Sequence, residues 1–325
     1  MSCCCKTLIG ISLSTLECRI RPPIHSVSLR RCASLASTSP DRAFEEPDTV
    51  EELLSSPDRI NGQMKMERRP ETLNPGRRWF PYLDEFRPDG GNGGVRLSSS
   101  ELIEAIGPYM MDSRKEMMRR AIDKRSYSVC LVVEGLSDVG NVSAAFRSAD
   151  ALGIQSVHVI SQDCKKRYKD NRHVSMGAEK WLDIELWRSA ADCFRALRSR
   201  GYRIVTTHLG MDTASIYEMD WSCPTAIVVG NEHKGISDEA LELSDLHCSI
   251  PMSGMVDSFN VSVAAGILMH HAVCDRVSRL GSHGDLTSEE HQILLAEFFL
   301  RHRENTLSIV QEYVKRKVEN PVSKL

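Results

Sequence analysis

The stretch IPMSGMVDSFNVSVAA, residues 250–265, follows at close range a second unusual loop, GNEHKGIS, residues 230–237. Each loop leaves a short apolar run and feeds a helix-forming pattern. Strand, glycine-bearing turn and helix, used twice in succession, gather backbone N–H groups and helix N-termini at the C-terminal ends of two strands. Open α/β sheets bind ligands there. The pair reads as a ligand site built from two loops.

Working outward, strand and helix patterns alternate. Apolar, β-branched runs at 129–133, 156–160, 203–207, 225–229 and 247–250 carry almost no charge, as strands covered on both faces should. Helical patterns occupy 142–152, 190–200, 237–243 and 260–280, with others at 100–106, 112–124, 288–302 and 306–318. The pattern predicts an α/β domain with a parallel sheet and helices on both faces. It leaves topology open. A Rossmann-like sheet would place a cofactor at the turn after the first strand, where EGLSDVGN is a poor match to G-x-G-x-x-G.

Composition bounds the rest. The 325 residues are 41% hydrophobic and 26% charged, enough for one adequate core, and no apolar run approaches the length of a membrane span. A net charge of -3 argues against a wholly basic coat, so nucleic-acid affinity must come from local patches. The eleven cysteines form no C-x-x-C pair, and five of them fall before residue 41, which suits neither a zinc site nor a disulfide framework. Residues 1–40 hold Lys6, Arg19, Arg21, Arg30, Arg31 and eight serines against one acid, Glu17, the composition of an organellar transit peptide, chloroplast or mitochondrial. Residues 41–98, broken by prolines and by GGNGG, read as a largely disordered linker with one short helical candidate at 50–54. The folded domain is expected over 99–325.

In EGLSDVGNVSAAFRSADALG, residues 134–153, Asn141 and Arg147 stand six residues apart on a strand-to-helix turn. This segment and the two loops above, in order and spacing, resemble motifs 1, 2 and 3 of the SpoU/TrmH branch of the SPOUT RNA methyltransferases. SMGAEKW, residues 175–181, falls where the TrmH-type tRNA guanosine 2'-O-methyltransferases carry a similar segment. The resemblance spans roughly 112–317. It implies a deep C-terminal trefoil knot, a rare exception to unknotted chains. It also implies S-adenosylmethionine as cofactor, a homodimer and an RNA partner. A D-loop guanosine of tRNA is the first expectation for the methylated ribose, rRNA the second, and a non-catalytic RNA-binding or assembly factor the third.

Methyl transfer from a sulfonium to a ribose 2'-hydroxyl needs a positioned donor, an activated oxygen and exclusion of water; no metal is expected. The resemblance places Thr207, Gly230, Ile250 and Phe259 around the cofactor, Phe259 standing where Leu is usual. It makes Arg147 the catalytic arginine. A guanidinium, protonated at ordinary pH, is a poor base, so clamping a phosphate and stabilising the developing alkoxide is the role that fits it. On its helix Arg147 is expected to share a polar face with Ser143 and Asp150, opposite Val142, Phe146, Ala149 and Leu152. Asn141 fits an N-cap or a contact to the ribose or to Arg147. Glu232 fits an exposed loop acid or an anchor for Asn141 or Arg147. Ser258 and Asn260 fit helix caps or, by resemblance, substrate-positioning groups.

RNA binding has its own signal. Arg114, Lys115, Arg119, Arg120, Lys124 and Arg125 crowd one expected helix, and the last helix ends in Lys315, Arg316 and Lys317. Along 260–280, Ile267, Leu268, His271 and Val277 offer a largely apolar face for the expected dimer.

Overall fold

The computed structural model describes residues 64–70, 78–88, 95–135, 138–160, 175–210, 213–303 and 305–319. The expected transit segment 1–40, the helical candidate at 50–54 and the GGNGG run lie outside them. Seven parallel strands form one sheet: β1 Ser126–Glu134, β2 Ile154–Ile160, β3 Asp183–Trp187, β4 Arg203–Thr207, β5 Ala214–Ser215, β6 Thr225–Val229 and β7 Leu246–Ser249. Their order is β3-β2-β1-β6-β4-β7-β5, so β6 lies between β1 and β4, and β7 between β4 and β5. The helices are α1 Ser99–Ile106, α2 Asp112–Ile122, α3 Val139–Ala151, α4 Ala190–Ser199, α5 Asp238–Glu242, α6 Val261–Leu280, α7 Ser288–Arg301 and α8 Thr306–Glu319.

The two faces of β1 show why this sequence makes a covered sheet. Val129, Leu131 and Val133 point into a core with Val142, Phe146 and Ala149 of α3 and Ala265, Leu268 and Met269 of α6. Cys130 and Val132 point the other way, against Cys193, Phe194 and Leu197 of α4 and Ala240 of α5. The period of two serves both faces because both carry helices. Truncating the fully buried Phe146 to Ala would cost about 3–5 kcal/mol.

Sequence patterning missed β3 because it carries Asp183 and Glu185, both buried. Each charge is paired. Asp183 accepts hydrogen bonds from the hydroxyls of Tyr82 (2.6 Å) and Tyr127 (2.5 Å) and meets Arg301 at 2.7 Å. Glu185 meets Arg200 and Arg68, each at 2.9 Å, and these cations with His158 outweigh burial to hold its carboxyl down to about 2. β5, two residues long, left no pattern to read.

Within the span 41–98 expected as linker, the described residues 64–70, 78–88 and 95–98 are packed. Met64, Met66, Phe80, Tyr82, Phe86 and Leu97 are buried in a further core with α1, α2, α7 and α8. Glu297 of α7 fastens this segment by accepting from the backbone N–H of Lys65 (2.8 Å) and Met66 (2.7 Å). Arg200 adds a cation over the Trp79 ring at 5.1 Å. The Asp183 cluster sits at the N-terminal ends of β1 and β3, the end of the sheet away from the loops after β6 and β7.

Candidate active site

The first two loops to meet follow β1 and β6, neighbours in the sheet at the point where the strand order changes direction. Three side chains tie them together. Asn231 donates from Nδ2 to the Gly135 carbonyl at 2.7 Å. Glu134 accepts from the Ser237 hydroxyl at 2.6 Å and from its N–H at 3.0 Å. Asn141 donates from Nδ2 to Glu232 Oε1 at 2.7 Å. Within the second loop, Asn231 Oδ1 accepts from the N–H groups of His233 and Lys234, an Asx turn closed by a backbone pair between Asn231 and Gly235. Gly235 takes φ +71°, and a Cβ on Gly230 would lie 2.5 Å from the Gly235 backbone. Both glycines are therefore fixed by the turn.

The third loop joins through Asn260. It caps α6, its Oδ1 accepting from the Ser262 N–H at 2.9 Å, and its Nδ2 donates to Asn141 Oδ1 at 3.0 Å. Asn260, Asn141 and Glu232 thus form one chain of hydrogen bonds across all three motif segments. Asn141 is not the N-cap of α3; Asp138 is, accepting from the N–H groups of Gly140 and Asn141, which frees the Asn141 side chain. The other oxygen of Glu232, Oε2, is buried without a hydrogen-bond partner.

Beside this chain a cavity of about 460 Å³ opens between the loops that follow β4, β6 and β7. All four expected cofactor residues, Thr207, Gly230, Ile250 and Phe259, line it, together with Glu232 and Ser258. Leu209, Ile236, Met252 and Leu268 supply much of the apolar wall, and sequence reading singled out none of them for this role. Burial pushes the Cys248 thiol in the wall up to about 12, so it stays protonated and packs as a small apolar group. Among the described residues no group of three or more His, Cys, Asp or Glu could hold a metal ion.

Arg147 is exposed on α3, as expected, opposite the buried Val142, Phe146 and Ala149. Ser143, expected on its polar face, is fully buried instead. Arg147 does not line the cavity that Glu232 and Ser258 share.

The basic patch divides. Arg119, Arg120 and Lys124 are exposed on or just after α2, while Arg114 and Lys115 are half-buried, Lys115 pairing with Asp112 at 2.6 Å. Arg125 is corrected: it is buried and pairs with Asp150. On α8, Lys315 is exposed, Arg316 pairs with Glu312 at 3.0 Å and Lys317 with Glu101. Leu268, expected on an apolar outer face of α6, is fully buried in the sheet core, whereas Val263, Val277 and Leu280 are exposed.

Comparison with known proteins agrees with this arrangement. Residues 128–270 match the SpoU rRNA Methylase family. A tRNA (guanosine(18)-2'-O)-methyltransferase from Aquifex aeolicus is 32% identical over 204 residues, which cover 61% of this chain and 96% of that relative. The chain belongs to the SpoU/TrmH family. A second family member, a 23S rRNA (guanosine-2'-O-)-methyltransferase from Shewanella oneidensis, is 36% identical over 148 residues, 46% of this chain and 60% of that one. The crystal structure of the A. aeolicus TrmH/SpoU tRNA modifying enzyme is 29% identical and superposes with a TM-score of 0.51, over 64% of this chain and 98% of the other. The SpoU/TrmH match contains the three motif segments and the cavity-lining loops after β4, β6 and β7.

Proposed function

We propose that this protein is an S-adenosylmethionine-dependent RNA ribose 2'-O-methyltransferase whose substrate is tRNA, methylated at a guanosine of the D-loop. The observation that carries the reading is the Asn260–Asn141–Glu232 chain, which fixes three separate loops at a cavity of nucleoside-cofactor size. The tRNA relative is matched over 96% of its length and the rRNA relative over 60%, which favours tRNA.

The residues present fit the cofactor. The cavity combines apolar walls from Leu209, Ile250, Phe259 and Leu268 with backbone at Gly230 and polar groups at Thr207, Ser249 and Ser258. Those groups would hold it, and when bound it supplies an electrophilic methyl on a sulfonium. Asn141, held at both ends of its amide, orients the target ribose. Glu232 keeps that amide in one orientation and closes the site against water beside Ser258. Arg147 holds an adjacent phosphate and stabilises negative charge on the 2'-oxygen.

Because Arg147 lies outside the cavity wall of its own chain, we place the working site between two copies, the motif 1 helix of one against the cavity of the other. The exposed Met255, Val256, Phe259 and Val263 give that contact apolar surface. The insertion of β6 and β7 between strands laid down earlier supports a trefoil knot at the cofactor loops. The acid-poor, Arg- and Ser-rich 1–40 supports organellar import, to chloroplast or mitochondrion.

The test is methyl incorporation from labelled S-adenosylmethionine into a tRNA transcript by the purified protein, with and without chelator. Incorporation insensitive to chelator is expected. Incorporation that is lost on chelation and restored by one divalent ion would contradict the mechanism.

A further inference from the structure

The segment that joins β6 to α5 carries more charge into the 460 Å³ cavity than the chemistry above uses. Among the described residues, Glu232, Lys234 and Asp238 are the carboxylate and ammonium side chains of its lining, and all three come from this one segment. Glu232 is committed to Asn141. Lys234 and Asp238 are exposed, and neither side chain has an ion-pair or hydrogen-bond partner among the described residues. They flank Ile236, a buried residue of the same wall, on a turn held at both ends. Gly235 closes a backbone pair with Asn231, and Ser237 caps α5 while bonding to Glu134. The two charges are therefore presented by fixed backbone. An acid at the start of a helix ordinarily complements the dipole. Glu239, the next residue, gives α5 that acid without lining the cavity, so Asp238 stands in the wall beyond what the helix needs.

Charge says what such a wall receives. The lining sets one cation, Lys234, against two anions, Glu232 and Asp238. S-adenosylmethionine carries the reverse set, a sulfonium and an α-ammonium against one α-carboxylate. Complementary patterns of this kind fix orientation. Adenine and ribose are neutral, and they suit the apolar walls of Leu209, Ile250 and Phe259 with the backbone at Gly230. The amino-acid end is a zwitterion and needs an acid and a cation close together. Lys234 and Asp238 are the pair left free for it.

We infer that Lys234 and Asp238 form the subsite for the amino-acid end of the cofactor, Lys234 receiving the α-carboxylate and Asp238 the α-ammonium. The inference rests on the methyltransferase reading above and assigns two residues that reading leaves without a role. Both groups keep contact with water, so each contributes about threefold to tenfold in affinity rather than the larger factor of a buried pair.

The experiment is calorimetric binding to the full chain of three ligands that differ at this end: S-adenosylmethionine, its decarboxylated form, which lacks the carboxylate, and 5'-methylthioadenosine, which lacks the whole amino acid. Lys234→Gln should weaken S-adenosylmethionine about threefold to tenfold and leave the decarboxylated form bound as well as by wild type, or more tightly. Asp238→Asn should weaken both of those by a similar factor and leave 5'-methylthioadenosine within about twofold. Glu239→Gln, which removes an equal charge from α5 outside the cavity, should leave all three within about twofold. All three positions are exposed, so the variants keep the fold. Unchanged S-adenosylmethionine affinity in Lys234→Gln and Asp238→Asn would overturn the subsite alone. So would an equal loss of 5'-methylthioadenosine in Asp238→Asn, which would make that carboxylate a reader of the ribose. A wild-type protein that binds none of the three ligands would overturn the functional reading beneath it.

Discussion

Exchanging the amide of Asn141 for a carboxylate attacks the site at its centre. In Asn141→Asp the donor to Glu232 disappears, and two acids face each other where a 2.7 Å hydrogen bond stood. The lost charge-assisted bond is worth about 1.5–3 kcal/mol. Like charges about 4 Å apart at an effective dielectric near 20 add up to about 4 kcal/mol before the loops relax. A net loss of about 2–4 kcal/mol in the organised site corresponds to a fall of roughly 30- to 1,000-fold in single-turnover rate. Adding Glu232→Gln restores a donor and an acceptor with the roles reversed, while Asn260 can still donate to residue 141. The double variant should regain about tenfold or more over Asn141→Asp. Single-turnover methyl transfer to a tRNA transcript, with cofactor binding followed by calorimetry, gives both numbers. A double variant as slow as Asn141→Asp would refute the view that the pair acts by holding a geometry.

Arg147→Ala should cut turnover by roughly two orders of magnitude with cofactor affinity unchanged, and Arg147→Lys should recover only part of it, in single-turnover assays; a Lys variant as fast as wild type would reduce the role to a point charge. Gly230→Ala would drive a methyl group to 2.5 Å from the Gly235 backbone, so calorimetry should find cofactor affinity down about tenfold or more; wild-type affinity would contradict the turn geometry. Burial lowers His158 from 6.5 to about 4, so the unfolded chain takes up its proton first as pH falls. Stability from this group is complete above pH 6.5 and drains away towards pH 4, by up to about 3 kcal/mol, and chemical denaturation across that range should show a shallower decline in His158→Gln.

How far the sequence carried the fold can be seen strand by strand. β4 and β6 match their expected runs residue for residue: β6 is fully buried and nearly continuous apolar sequence, and β4 buries Ile204, Val205 and Thr206 at its centre. β3 escaped because its two acids are neutralised by Arg301, Arg200 and Arg68, residues that no local pattern joins to it. The packed residues Met64, Met66, Phe80, Tyr82, Phe86 and Leu97 escaped for a related reason: isolated apolar anchors between prolines and glycines look like linker until α7 is there to receive them. At the site, Asn141 hydrogen-bonds residues 91 and 119 positions away, so only the family resemblance could join Asn141, Glu232 and Asn260. Glu134 and Asn231, which clamp the same loops, lie within those motif segments but carried no assigned role, though the Asn in a glycine-closed turn was a local signal.

The most direct test of the central claim is nucleotide-resolved mapping of ribose methylation on a tRNA transcript incubated with the full chain and S-adenosylmethionine. The account predicts a single alkali-resistant linkage after one D-loop guanosine, absent when Asn141 is replaced by Asp. A methyl group on a base, or linkages modified equally in the wild-type and Asn141→Asp reactions, would contradict it.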